Sequence, residues 1–127
     1  MLTKMSSDKN VNHPSHYEAG PFECIDLTKK FDFTFGNAIK YVYRHDLKSN
    51  SLQDLKKALW YLYHTNWFWV YLRILFRPSI RKQLGILEDC DWANAGFFWR
   101  YIRLRKFKAA TSVVKGMIMD IEDRINL

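Results

Sequence analysis

Lys40 and Arg44 stand four residues apart in the phrase GNAIKYVYRHDLK and therefore share one face of a helix, with Asn37 one turn earlier on that side. Two neighbouring cations repel unless an anion bridges them. A phosphate does so well, because arginine offers a planar fork of donors and lysine a point charge. The plainer alternative is an ordinary solvated basic face. In SLQDLKKALWYLYH, the residues Asp54, Lys57 and Tyr61 also share a face, at spacings of three and four. Asp54 and Lys57 either form a surface pair worth a few tenths of a kcal/mol or belong to the same phosphate site. Glu23 and Asp26 share a face farther upstream. Together with Asp54 they are candidates to hold Mg²⁺ against a bound phosphate, an ion that usually takes one or two carboxylates plus substrate oxygens. That role requires the two helices to converge.

The phrase NHPSHY places Asn12, His13, His16 and Tyr17 on a short non-helical stretch. His13 precedes Pro14 and is biased to extended geometry. The two histidines have metal-like spacing, but a zinc site needs about four ligands and no partners stand out. Loop packing is the plainer account, and contact with a nucleotide's phosphate or base edge the more specific one. The sequence contains no G-x-x-x-x-G-K-[ST] loop, no G-x-G-x-x-G and no G-x-S-x-G elbow, which excludes a P-loop kinase.

The elements that must position these groups read as helices. Pro21 suits a first helical position, so a helix is expected over about 21–31. Thr34 is a plausible N-cap for a second, running to about Leu47. Ser51 with Asp54 resembles a capping box and opens a long central helix. Its stripe, from Leu52 through Leu55, Leu59, Leu62, Asn66 and Trp69 to Phe76, keeps helical spacing until Arg77-Pro78. A short basic helix then stops at Gly85, an acidic turn follows, and a last helical segment runs from about Trp92 to the end. Phe68-Trp69-Val70-Tyr71-Leu72-Arg73 is echoed by Phe98-Trp99-Arg100-Tyr101-Ile102-Arg103, either by chance in an aromatic-rich chain or as a self-association face. No alternating apolar run is long enough for a strand. The fold class expected is all-α, a compact helical bundle with a long central helix and a C-terminal helical extension.

The order of motifs NHPSHY, Gly20-x-x-Glu23-x-Ile25-Asp26, GNAIKYVYR and DLKKALWYL resembles a family of small phage proteins that carries the label of a domain of unknown function. The matching positions include Asn12, His13, His16, Tyr17, Gly20, Glu23, Asp26, Gly36, Asn37, Lys40, Tyr41, Arg44, Asp54, Lys57 and Tyr61, within about residues 11–63. One phage member is described as a kinase of deoxynucleoside monophosphates without a Walker motif. The resemblance therefore implies a nucleotide ligand and a P-loop-less nucleotide kinase, working in the cytoplasm of an infected host. Lys40, Arg44 and Lys57 would clamp phosphates; Asp54 would hold Mg²⁺ or orient the acceptor; Asn12, His13, His16 and Tyr17 would close over the ligand. A non-catalytic sponge for host nucleotide defence signals is the first alternative. A second is a MazG-like pyrophosphohydrolase, although only Glu23-x-x-Asp26 fits the paired acids of that family.

The chain has 127 residues, with 48% hydrophobic, 26% charged and 17% aromatic residues, five glycines and three prolines. Those figures exclude a disordered or collagen-like chain and disfavour a turn-rich β-sandwich. The formal charge of +7 suits anionic partners without choosing among them. It is uneven: residues 1–64 carry nine basic and seven acidic groups, residues 65–127 eleven and six. Two cysteines make no disulfide framework, so a reducing cytosol is the expected compartment. The apolar run from Leu59 to Phe76 is interrupted by His64, Thr65, Asn66 and Arg73, which favours an amphipathic helix over a membrane span. Arg100, Arg103, Arg105, Lys106 and Lys108 among Phe98, Trp99, Tyr101 and Phe107 would suit nucleic acid if the rings faced outward; inward packing is preferred. The organisation expected is a flexible N-terminus over 1–11, a motif-bearing core over 12–64, and a basic aromatic extension over 65–127. The extension would pack on the core or form a homo-oligomer interface.

Overall fold

A computed structural model describes residues 20–45 and 50–126. Among the described residues, seven α-helices and one 3₁₀ turn account for the regular structure, and no strand occurs. Helix α1 spans Cys24–Thr28, α2 Phe33–Arg44, α3 Ser51–Tyr63, α4 Trp67–Phe76 and α5 Pro78–Asp89; after a 3₁₀ turn at Trp92–Asn94 come α6, Gly96–Arg103, and α7, Phe107–Ile125. The all-α class is as expected, while several boundaries differ for identifiable reasons.

Pro21 does not open the first helix; Glu23 is its N-cap and only five residues are helical. The second helix is capped two residues earlier than expected. Asp32, not Thr34, accepts the Phe35 backbone N–H at 2.9 Å, and a carboxylate at that position also favours the positive end of the helix dipole. Ser51 does not cap α3, because its hydroxyl lies 2.8 Å from His45 Nδ1 while Asp54 turns to Arg44. The expected long central helix is two helices. Thr65 Oγ1 donates to Tyr61 O and His64 Nδ1 to Trp60 O, so side chains take over the last carbonyls of α3. Asn66 then caps α4 by accepting from Phe68 N at 3.2 Å. Gly85 does not stop α5, which runs four residues farther; a helical glycine costs only about 1 kcal/mol against alanine. The last segment breaks before α7 at Arg105, whose φ is +61°.

Both halves of the chain contribute to one core. Leu27, Phe35, Ile39, Val42, Leu55 and Leu62 pack with Ile74, Leu84, Trp99, Ile102 and Val114. Phe35, Ala38, Ile39 and Val42 follow the i, i+3, i+4, i+7 rule that turns one stripe of α2 inward. The 3₁₀ turn grips the end of that helix: Trp92 Nε1 donates to Tyr43 O and His45 Nε2 to Ala93 O. Asp91, Ala93 and Asn94 hold left-handed φ values there, a conformation that costs non-glycine residues energy and persists because these bonds enforce it.

Gly20 and Gly36 have packing roles. A Cβ at Gly36 would sit 3.1 Å from Thr28 O, so α1 and α2 approach closely there. A Cβ at Gly20 would fall 1.7 Å from the Tyr43 hydroxyl, which donates to Phe22 O at 2.6 Å. Tyr43 is fully buried and its ring cannot swing away. Gly20→Ala is therefore expected to cost about 2 kcal/mol by overpacking. Urea denaturation measures this, and an unchanged midpoint would remove the packing explanation.

Candidate functional site

Helices α2 and α3 lie side by side and bring the two basic phrases onto one surface. At its centre is the half-buried ring of Tyr41. Lys40 Nζ lies 4.6 Å from the ring centroid, Arg44 Cζ 4.8 Å and Lys57 Nζ 5.4 Å. Tyr61 stacks on Tyr41 with centroids 6.0 Å apart and planes 14° from parallel. Lys40 and Arg44 reach this point from successive turns of α2, and Lys57 and Tyr61 from successive turns of α3. Each cation–π contact offsets part of the mutual repulsion, by about 0.5–2 kcal/mol. The sequence spacing thus does bring Lys40, Arg44 and Lys57 together, around a tyrosine that lies between the first two in the chain.

Beneath this surface Arg44 and Asp54 form an ion pair of 3.3 Å between Nη2 and Oδ1, with side chains 14% and 3% exposed. The other carboxylate oxygen, Oδ2, is buried and accepts no hydrogen bond from the described residues. A buried carboxylate held by one guanidinium fixes the direction of that guanidinium. Asp54 therefore acts first on Arg44, and Lys57 is not its salt-bridge partner.

The remaining candidates divide. Asn37 Nδ2 donates to Phe33 O within its own helix. It lines a hollow of about 250 Å³ with Gly36, Lys40, Thr28, Lys29 and Ile25. Asp26 pairs with Lys29 at 3.9 Å, and Glu23 begins α1. No three His, Cys, Asp or Glu side chains converge as a metal site among the described residues. Glu23, Asp26 and Asp54 thus form no ligand set of their own, and the carboxylate of Asp54 is already neutralised by Arg44. A Mg²⁺ ion held here would take one or two of these carboxylates together with substrate oxygens. Asn12, His13, His16 and Tyr17 lie outside the described residues.

Two features of this surface escaped the reading of the motifs. Trp60, exposed and edge-on to Tyr61, lines a groove of about 520 Å³ with Leu52, Gln53, Lys56 and Lys57. Phe33 stands exposed at the start of α2, edge-on to Tyr61 at 6.2 Å. Trp60 is one step off the apolar stripe of α3, a position where a large exposed ring is a signal in itself. Cys24 lies within electrostatic reach of Lys40 and Arg44, but burial outweighs their downward pull and raises its thiol to about 12. It stays protonated at neutral pH and is no nucleophile.

The basic aromatic segment of α6 faces the other way. Phe98 and Trp99 are fully buried, Phe107 stacks on Trp67 at 4.5 Å, and Arg103 pairs with Glu88 at 2.8 Å. These rings are not presented for base stacking.

Residues 11–63 match the model of a family described as a protein of unknown function (DUF3310). The match spans the segment that carries α1, α2, α3 and the cation cluster, and relates it to an uncharacterised domain family. No curated protein and no solved structure matches the chain.

Proposed function

We propose that the α2–α3 face binds a nucleotide. The observation that carries this is the convergence of Lys40, Arg44 and Lys57 on the Tyr41 ring, with the carboxylate of Asp54 buried and paired with Arg44. Such an arrangement leaves a local excess of positive charge on a surface already part-shielded from water, which favours a multiply charged anion. The groove on the Trp60 side of Lys57 gives the base an exposed ring to stack on, and the hollow at Asn37 flanks the cluster on the Lys40 side. In this reading Lys40 and Lys57 are point charges on the phosphates, Arg44 is the fork, and Asp54 is the positioning residue that aims it.

Phosphoryl transfer is the finer proposal, and it rests on the resemblance to the phage proteins. The terminal phosphoryl of a nucleoside triphosphate would pass to a phosphate oxygen of a deoxynucleoside monophosphate, breaking one P–O bond, forming another and yielding two diphosphates. Catalysis of that step depends mainly on positioning and on neutralising charge, which a cluster of three cations supplies. The site of action would be the cytoplasm of an infected host, with Asn12, His13, His16 and Tyr17 closing over the ligand. Sequestration of a host defence nucleotide is the second reading, favoured by a clamp that needs neither base nor metal. Hydrolysis ranks below both, because only Glu23-x-x-Asp26 fits the paired acids of the pyrophosphohydrolases.

Incubation with a panel of nucleoside mono- and triphosphates, with and without Mg²⁺, followed by mass spectrometry of bound and free nucleotide, tests the proposal. Nucleotide retained with a new phosphate count supports transfer. Nucleotide retained and released unchanged supports sequestration. Failure to retain any nucleotide at low salt would overturn the binding site itself.

A further inference from the structure

Helix α4 is turned inside out relative to the other helices. Only Val70 and Ile74 of its ten residues are buried. Phe68, Trp69 and Phe76 are 62%, 53% and 73% exposed, and Leu75 is exposed beside them. At 100° per residue these side chains and Leu72 fall on one outward arc opposite Val70 and Ile74, so the solvent side of the helix carries no charge at all. The contrast with α6 is direct. There the equivalent Phe98 and Trp99 fill the core, whereas in α4 the Phe-Trp pair points away from it. An outward apolar arc of this size is not an ordinary scatter of surface leucines.

Arginines stand at the borders of the arc. Arg77 follows the helix directly, exposed to solvent. Arg81 Nη1 donates to Ile74 O and Leu75 O at 2.7 Å each, which sets a guanidinium on the helix's C-terminal carbonyls. The Arg105 guanidinium lies 5.5 Å from the Tyr71 ring centroid. From Leu55 to Leu87 the chain has no Asp or Glu, while it carries Lys56, Lys57, Arg73, Arg77, Arg81 and Lys82.

We propose that α4 docks on an anionic lipid surface, with Phe68, Trp69, Leu72, Leu75 and Phe76 entering the headgroup boundary and the arginines pairing with lipid phosphates. Charge decides the occupant. In a two-fold contact between copies of this chain each residue meets its own counterpart region, which would set an acid-free cationic border against itself. A lipid surface of negative charge complements that border, and apolar burial plus electrostatic attraction is how interfacial helices bind. A nucleic-acid strand is a poorer match, because it needs cations interleaved with the rings, whereas here they stand only at the edges. The helix lies on the surface: ten residues span about 15 Å, half the hydrocarbon thickness, and no helix among the described residues is long and apolar enough to cross a membrane.

The test is flotation of the full chain with vesicles of phosphatidylcholine containing phosphatidylserine, against phosphatidylcholine alone, in low and high salt. The chain is expected to float with the anionic vesicles, to float less as salt rises, and to remain behind with the neutral ones. Phe68→Glu and Phe76→Glu are each expected to lower the partition by roughly tenfold or more, since each removes an exposed ring that would enter the headgroup boundary and adds a like charge to an anionic surface. Met119→Glu, at an exposed apolar position on α7, is expected to change it less than about twofold, as one remote charge is largely screened. Circular dichroism of each variant separates unfolding from loss of docking, and where Phe68→Glu fails to fold, Phe76→Glu alone decides. Absence of flotation at low salt would overturn the proposal, as would equal losses in all three variants. A dimer in sedimentation that Phe76→Glu dissolves, or single-stranded DNA binding that it abolishes, would assign the face to a second copy or to nucleic acid instead.

Discussion

Replacement of Arg44 by methionine is expected to destabilise the protein by about 3 kcal/mol, because it strands a buried carboxylate. Asp54 is only 3% exposed, and Arg44 is its one salt-bridge partner among the described residues. Removing one member of a buried pair leaves the full desolvation cost of the other, whereas replacing both with apolar groups is close to neutral. The double variant Arg44→Met with Asp54→Leu is therefore expected to recover most of the lost stability in urea denaturation. It is not expected to recover nucleotide binding, since the guanidinium is gone in both. A single variant within about 0.5 kcal/mol of the parent, the ordinary range for a surface change, would show that the pair is not structurally committed. A double variant that binds normally would show that Arg44 serves stability alone.

The double variant Lys40→Ala with Lys57→Ala isolates the other side of the question. Lys57 is exposed and Lys40 half-buried, and the helices they sit on are held by Phe35, Ile39, Val42, Leu55 and Leu62. Alanine is the best helix former, so helicity and the unfolding midpoint should change little. Each lysine that contacts a phosphate is worth about 1.5 kcal/mol, so the pair together should weaken binding roughly a hundredfold. Isothermal calorimetry at low salt reads this directly, and binding by the parent should weaken as salt screens the cluster. Lys115→Ala, which removes an α7 cation that lies over the Tyr63 ring and outside the Tyr41 cluster, serves as the control and should bind like the parent. Equal affinity in the double variant and the parent would detach the cluster from the ligand.

Much of this arrangement is legible before any coordinates. The i, i+3, i+4 spacing of Lys40 with Arg44 and of Asp54 with Lys57 and Tyr61 selects one face on each of two helices. What spacing cannot supply is the relation between those faces. The stacking of Tyr41 on Tyr61 and the reach of Asp54 to Arg44 depend on how α2 and α3 pack. Asp54 and Lys57 looked like partners because a helix makes i, i+3 neighbours, yet a tertiary guanidinium outcompetes the local lysine. The helix breaks have the same character. The apolar stripe runs unbroken through Asn66, so periodicity alone extends α3 to Phe76. The break comes from side chains of His64, Thr65 and Asn66 that bond the backbone better than another turn would. Similarity between Phe68-Trp69 and Phe98-Trp99 is equally blind to context: one pair is core and the other is surface.

The overall charge of +7 served mainly to admit anions as a class. The local distribution is more informative. In the motif-bearing half, cations and carboxylates are nearly balanced, yet Asp54 is withdrawn beneath the surface by Arg44 and Asp26 is engaged by Lys29. Among the described residues, Lys40, Arg44 and Lys57 form a small cationic patch around the Tyr41 ring. In the second half the acid-free stretch surrounds α4, whose outward Phe68 and Trp69 rings pack edge-on to each other and stay exposed. The two surfaces ask for different anions, one soluble and compact, the other extended.

The cluster around Tyr41 is proposed to hold the phosphates of a nucleotide. A crystal structure of the full chain soaked with a deoxynucleoside monophosphate and a non-hydrolysable triphosphate tests it most directly. Phosphate oxygens are expected within hydrogen-bond distance of Lys40 Nζ, Lys57 Nζ and the Arg44 guanidinium, with the base against Trp60. Nucleotide bound elsewhere while these three side chains keep their places around Tyr41 would contradict the account.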